Sequence, residues 1–389
     1  MEMTLKNPFV VKGSIPDKYF CDRVEESRIL VQHITNGHNI LLVSPRRIGK
    51  TGLIEHCFQF PEIRDEYYTF FIDILQTSSL KELTYTIGKQ IFDSLKSRNR
   101  KMIDMFLQTV HSVSGEFSYD PLTNMPKFSL SLGAIKNPEY TLEEIFSYIN
   151  KADKRCVIAI DEFQQITRYP EKNVEALLRT HIQHCANAEF IFAGSERHIL
   201  SDMFTSYTRP FFSSTTMMSL EEIKPDIYIH FACYWFNEYG KKTEAETVEK
   251  IYRLLSGNTY CIQRVMNEMF ERTDKKQTCG LDMAKKVIED ILLEQEHSFK
   301  MRLSLLAPKP KEVLYAVAKE GVARHVTSGE FVRRHQLSSA SSVQSAIKQL
   351  LTEDWITFST DDNGSRQYTL TDPFLCLWIK EHYGIGYQL

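Results

Sequence analysis

Four short apolar runs punctuate the first half of the chain, each separated from the next by a longer amphipathic stretch. They are Asn39-Ile40-Leu41-Leu42-Val43, residues 67–74 (YYTFFIDI), residues 156–160 (CVIAI) and residues 190–193 (FIFA). A strand wet on one face would alternate polar with apolar residues. Unbroken apolarity instead suits parallel strands covered on both faces. The rhythm of strand and amphipathic stretch predicts an α/β sheet with helical crossovers. Residues 115–132 (GEFSYDPLTNMPKFSLSL) break that rhythm. Two alternating segments there flank a Pro/Asn turn and predict an inserted antiparallel hairpin.

From about residue 225 the periodicity becomes helical. Helices are expected over 225–239, 243–256, 259–273 and 281–299, separated by short polar or Gly-containing breaks. Ala307-Pro308-Lys309-Pro310 interrupts this run and suggests a boundary. Beyond it the pattern predicts helices near 311–319 and 328–335. A third helix is opened by Ser338 or Ser339 as N-cap, with Val343, Ile347, Leu350 and Leu351 on one face. Trp355-Ile356-Thr357-Phe358 and Arg366-Gln367-Tyr368-Thr369-Leu370 then read as strands around the turn Asp361-Asp362-Asn363-Gly364. Three helices followed by a hairpin make a winged helix-turn-helix.

With 389 residues the chain is too long for one ordinary core. The texture divides it into an α/β sheet unit at 1–220, a helical unit at 221–300 and a winged helix at 301–389. A composition of 42% hydrophobic and 25% charged residues excludes collagen-like, low-complexity and wholly disordered classes. The eight cysteines include no C-x-x-C pair, so free buried thiols in a reducing compartment are expected. No run approaches the ~20 apolar residues needed to span a bilayer, and the opening residues lack an apolar core of signal-peptide length. A cytoplasmic protein with no membrane partner is the expectation. A net charge of -3 carries no global basic field that would advertise nucleic acid, although a local patch remains open.

The chemistry concentrates at Ser44-Pro45-Arg46-Arg47-Ile48-Gly49-Lys50-Thr51, directly after the first apolar run. This fits G-x-x-x-x-G-K-[ST] with Ser44 in place of the first glycine. A tight loop opening a helix turns backbone N–H groups and the positive helix end towards phosphate. Lys50 would reach the β- and γ-phosphates of ATP, and the Thr51 hydroxyl would ligate Mg²⁺. The third run ends in Asp161 and Glu162. A carboxylate at the sheet's carboxyl edge lies where Asp161 can order the same Mg²⁺, and Glu162 is suited to polarise the attacking water.

These residues together resemble the AAA+ ATPases. More closely, they resemble the P-loop ATPases described as predominantly archaeal, which carry a C-terminal winged helix and are related to the STAND NTPases. Tyr19-Phe20-Cys21-Asp22-Arg23-Val24-Glu25 resembles the family's opening F-x-x-R-x-x-E segment, which implies that Arg23 lies near the nucleotide. Residues 44–51 resemble its G-P-R-R-x-G-K-T loop, and Phe71-Ile72-Asp73 its next strand. Phe192-Ala193-Gly194-Ser195 resembles its sensor strand, which implies that Ser195 reads the γ-phosphate or orients water. Leu255-Ser256-Gly257-Asn258-Thr259-Tyr260 resembles a G-x-P-Y turn with Thr259 for proline. Thr369-Leu370-Thr371-Asp372-Pro373-Phe374 resembles the ending Y-x-x-x-D-P-F. Where the family often shows P-L-Y-G-R, this chain has Arg209-Pro210-Phe211-Phe212-Ser213, with serine at the arginine position. The resemblance therefore leaves Arg197 or Arg209 to meet transition-state charge, in cis or from a neighbouring subunit of a homo-oligomer. Arg264 stands between a second sensing role and a plain helix-surface charge.

A winged helix normally lays its third helix in the major groove. Residues 299–389 hold 11 Lys and Arg against 9 Asp and Glu. The third helix carries only Lys348, and the wing tip is acidic. Arg333, Arg334 and His335 could touch phosphate. Duplex DNA and a protein partner both stand open for this domain, as does a DNA-binding regulator that holds ATP but scarcely hydrolyses it. His181, His184 and Cys185 share helical spacing that could hold Zn²⁺, but no fourth ligand is evident and a half-buried helix face explains them better. Phe231, Tyr234, Trp235, Phe236 and Tyr239 read as a packed helix face.

Overall fold

A computed structural model describes residues 7–96, 100–113, 117–119, 126–128, 135–361, 364–387 and 389. The chain forms two compact units: one of Arg23–Glu221, the other of Met1–Asp22 together with Glu222–Leu389.

The first unit is built on five parallel strands, β1 (Ile40–Val43), β2 (Tyr67–Asp73), β3 (Arg155–Asp161), β4 (Ala188–Gly194) and β5 (Thr216–Ser219), in the order β2-β3-β4-β1-β5. The four unbroken apolar runs became the first four strands. All residues of β1 and β4 are buried, as strands covered on both faces require. The fifth strand carries no such signal. It is a four-residue edge strand with only Met218 buried. Val43 lies opposite Gly194 and Ser219, and Asp73 opposite Asp161, so the strands' carboxyl ends form one rim. The inserted hairpin is present as Phe117–Tyr119 paired antiparallel with Pro126–Phe128. The rest of the expected 115–132 segment lies outside the described residues.

A buried aromatic group stiffens the rim. Phe163 has its ring centroid 4.6 Å from Phe192 and 5.3 Å from Phe211. Burying each such ring contributes ~1.5–3 kcal/mol. The 3-10 turn Phe163–Arg168 that follows β3 is thereby anchored against β4.

The second unit holds helices Pro225–Glu238, Ala245–Leu254, Thr259–Arg272 and Leu281–Ser304. The opening segment, grouped by sequence with the sheet, packs on these helices instead. The Phe9 ring sits among Phe231, Phe236 and Phe270 at 5.5–5.9 Å. Asn7 Nδ2 donates to the Asn267 carbonyl at 3.0 Å, and Asn267 Nδ2 returns a bond to the Phe9 carbonyl at 2.6 Å. Of the aromatic face expected at 231–239, Phe231, Trp235, Phe236 and Tyr239 form one wall of this core, whereas Tyr234 turns to solvent.

The winged helix follows in the same unit: helices Pro308–Glu320, Gly329–Arg334 and Ala340–Thr352, then strands Ile356–Thr360 and Arg366–Leu370. A short strand, Ala323–Arg324, completes a three-stranded sheet with Arg366–Leu370 at its centre. Pro308 opens its helix rather than standing before it, because the first turn needs no N–H from that position. Ser328 and Ser339 cap their helices through side-chain oxygens. A last helix, Pro373–His382, was not expected from periodicity. It packs its Trp378 ring 5.9 Å from Phe299 of the long helix Leu281–Ser304, so the winged helix and the preceding helices share one hydrophobic core.

Candidate functional site

The loop after β1 runs from Ser44 to Gly49. Gly49 has φ +97°, a left-handed conformation that side chains resist, and it is the N-cap of helix Lys50–Cys57. Arg47 is also left-handed at φ +65°. Ser44 is not among the residues with positive φ, so the loop turns there without needing a glycine. Ser44 is fully buried and its hydroxyl donates to the Pro45 carbonyl at 3.2 Å. Arg46 donates through Nε to Ser195 Oγ at 3.0 Å. No side chain caps the N-terminus of helix Lys50–Cys57. Its positive end and leading N–H groups fit an anion such as phosphate.

Lys50 is buried, with Nζ 2.9 Å from Asp161 Oδ1 and 3.7 Å from Glu162 Oε1. Thr51 donates through Oγ1 to Asp161 Oδ2 at 3.1 Å. The two halves of the site, 110 positions apart in sequence, therefore meet at the rim formed by β1 and β3. A hydroxyl beside a carboxylate is the donor set a hard cation takes. Among the described residues no group of three or more His, Cys, Asp or Glu side chains could hold a metal. Mg²⁺ bound by Thr51 and Asp161 would complete its shell with water and phosphate oxygens, as this ion prefers.

Glu162 stands just past β3 with φ +56°. Its Oε2 accepts hydrogen bonds from Ser195 Oγ at 2.9 Å, from Ser195 N at 3.4 Å and from Gln164 Nε2 at 2.5 Å. Burial pushes its carboxyl up. Lys50, Gln164 and Ser195 together outweigh that and hold it below the usual carboxylate range. Gln164 was missed by sequence reasoning; its only signal was its place two residues after the acidic pair.

Arg23 lies in the same unit. It is nearly buried, left-handed at φ +65°, and its NH1 pairs with Glu26 Oε1 at 2.8 Å. Its NH2 donates to the Ile48 carbonyl of the loop at 3.3 Å and to the Glu221 carbonyl at 2.6 Å. The remaining arginines are placed elsewhere. Arg209 pairs with Glu175 at 3.1 Å and Asp202 at 3.4 Å, where burial pushes the Glu175 carboxyl up. Arg197 is exposed at the start of helix Arg197–Thr205. Arg264, in the helical unit, pairs with Glu294 at 2.9 Å and Glu268 at 3.4 Å. His181 stacks on Phe146 at 5.1 Å; the helix ends at Gln183, so His184 is an exposed cap and Cys185 lies beyond it, where burial pushes its thiol up to about 12.

The profile of the family described as "ATPase domain predominantly from Archaea" matches residues 20–265, well over half of the chain. The chain belongs to that ATPase family. A second profile, "Probable winged helix domain", matches residues 297–381. No curated protein matches the chain by sequence. Among solved structures, this ATPase family member is similar to a Walker-type ATPase of Pyrococcus abyssi. The two are 19% identical with a TM-score of 0.64, over 96% of this chain and 99% of that one. It also resembles the ORC2 protein of Aeropyrum pernix in ADPNP–ADP complexes, at 12% identity and TM-score 0.60 over 96% of both chains. The ORC1 protein of Aeropyrum pernix in complex with DNA gives 13% identity and TM-score 0.50, over 97% of this chain and 96% of that one. At these identities the likeness is one of fold: a parallel sheet flanked by helices, with a winged helix after it.

Proposed function

We propose that the protein binds ATP with Mg²⁺, hydrolyses it, and uses its nucleotide state as a switch of STAND type that moves the helical lid and winged helix. The observation that carries the reading is the convergence of Lys50, Thr51, Asp161 and Glu162 within ion-pair or hydrogen-bond reach at an uncapped helix N-terminus. In this reading residues 44–51 cradle the phosphates, and Lys50 leaves Asp161 for them. Thr51 and Asp161 hold Mg²⁺, which would neutralise charge on the transferring phosphoryl group. Glu162 takes a proton from water, and Ser195 senses the γ-phosphate. The switch gains support from Arg23. The chain crosses between its two units at 22–23 and 221–222, and Arg23 ties the second crossing to the phosphate loop. A ligand shifts such an equilibrium only by contacting the two states differently, and the Ile48 carbonyl gives the loop a direct route. The division of the second unit's main part into a lid at 221–300 and a winged helix at 301–389 belongs to the same reading.

Arg197 or Arg209 would serve the transition state. Arg209 would first have to leave Glu175 and Asp202, whereas Arg197, exposed on its helix, would act across a homo-oligomer interface. No described helix is long and apolar enough to cross a membrane, and a cytoplasmic home is part of the proposal. The test is single-turnover hydrolysis of ATP with Mg²⁺. We expect wild type to exceed Lys50→Ala and Glu162→Gln by about 10²-fold or more. Equal rates for all three proteins would defeat the enzymatic reading.

A second reading, a DNA-docking regulator, is favoured by the helix Ala340–Thr352. It exposes Ser341, Gln344, Ser345, Lys348 and Gln349 on one face. The basic residues before that helix are partly spent. Arg334 NH1 and His335 Nε2 both bind Glu320 Oε1, at 3.0 and 2.8 Å. A protein partner for the same face is consistent with this neutralisation.

A further inference from the structure

Gln164 lies in the turn Phe163–Arg168 with 1% of its surface exposed. Its Nε2 donates to Glu162 Oε2, whereas its Oε1 is buried without a hydrogen-bond partner. An orphaned buried carbonyl carries a desolvation penalty that a leucine of similar volume would avoid. The neighbouring strand is shaped around this amide. A Cβ at Gly194 would fall 2.0 Å from Gln164 Oε1 and 2.6 Å from Leu200 Cδ1. Gly194 does not have a left-handed φ, so a side chain there would meet no backbone strain and would instead have to displace the Gln164 amide and the Leu200 methyl.

The bonds around Glu162 give the amide a purpose. Ser195, adjacent to Gly194, places its Oγ and N on the same Oε2 that Gln164 holds. Three donors therefore converge on one oxygen, and Oε1 is left 3.7 Å from Lys50 Nζ. A carboxylate accepting several N–H and O–H bonds is kept ionised and fixed in orientation. Phe163, locked between Phe192 and Phe211, keeps the turn from swinging away.

We propose that Gln164 is a positioning residue for Glu162: its amide, seated in the space left by Gly194, holds one carboxylate oxygen and turns the other towards the phosphate loop. The proposal rests on reading Glu162 as the group that activates water. Gln164 itself acts only through Glu162, and the orphaned Oε1 is what the fold accepts in return for that orientation.

The test reads the carboxylate's orientation in crystal structures of the full chain and its consequence in single-turnover hydrolysis. In Gln164→Leu, which removes the donor, the Glu162 carboxylate should leave the orientation in which Oε2 faces Ser195 and Oε1 faces Lys50. Hydrolysis of ATP with Mg²⁺ should slow by about 10-fold, while ATP affinity stays within roughly twofold of wild type. If Gln164→Leu does not fold, Gln164→Met keeps the volume without the donor and carries the same expectation. In a Glu162→Gln background the same substitution should cause no further loss of rate. A Glu162 carboxylate unmoved in the folded variant overturns the proposal. A wild type that hydrolyses no ATP would instead defeat the role of Glu162, and the carboxylate's orientation would still decide whether Gln164 holds it.

Discussion

Lys50 carries the buried charge balance of the site. Its ammonium and the Asp161 carboxylate are each about nine-tenths buried, and Glu162 lies on the same cation. Removing one partner of such a pair leaves charge in a poorly solvated place and typically costs several kcal/mol. Lys50→Ala should therefore lower the stability of the nucleotide-free protein at neutral pH by about 3 kcal/mol, or roughly 6–12 °C in melting temperature. The pH dependence has a definite sign. Glu162 is held below its ordinary range, so its contribution is present above that range and is lost as pH falls through the folded value. Without Lys50 the Glu162 carboxyl loses its largest downward influence and rises relative to wild type. The penalty of Lys50→Ala should then shrink on acidification below the carboxylate range. Calorimetric melting at several pH values checks this, and a pH-independent penalty would contradict it. The G-K-T and D-E pairs were legible as residues in the sequence. Their meeting was inferred from the pattern of strands, and the donors on Glu162 came only with the folded turn.

At the scale of elements, the ending Asp372-Pro373-Phe374 has a plain physical account. Asp372 Oδ1 accepts from Leu375 N at 3.3 Å, Pro373 occupies the first helical position, and Phe374 is buried. Its Oδ2 meanwhile meets Arg302 NH1 of the long lid helix at 3.0 Å. Asp372→Ala loses both roles and should cost about 1–2 kcal/mol, whereas Asp372→Asn keeps the cap and loses mainly the partly exposed ion pair. Denaturant titration of the two variants separates these roles. Equal losses would place the stability in the ion pair rather than the cap. Asp-Pro could be read as a helix start from sequence. The partner Arg302 could not, because it lies 70 positions away.

Across the whole molecule, the net charge of -3 averages an acidic remainder and a slightly basic winged helix. Folding occupies part of its basic charge by pairing Arg334 and His335 with Glu320. Burial pulls the Glu320 carboxyl up, but His335 and Arg334 hold it below the ordinary range, so the cluster persists at neutral pH. Arg324, Arg333 and Lys348 remain exposed near the third helix and wing. Three phosphate contacts correspond to a slope of about -3 in log K against log salt. Filter binding to duplex DNA should give that slope or a shallower one. A slope near zero removes DNA as the partner, and one steeper than about -6 would require a basic surface beyond these residues.

The sequence by itself determined the elements whose signals are local. Unbroken apolar runs became the buried parallel strands, serines became helix caps, and the phosphate loop's Gly49 sits where its left-handed φ requires glycine. Tertiary structure decided what depends on partners far along the chain. It recruited the four-residue edge strand Thr216–Ser219 and drew Phe9 into the helical core. It also set Gln164 against Gly194 behind Glu162. Local pattern reports which face of a segment avoids water. Which distant residue fills the space beside it is decided by packing alone.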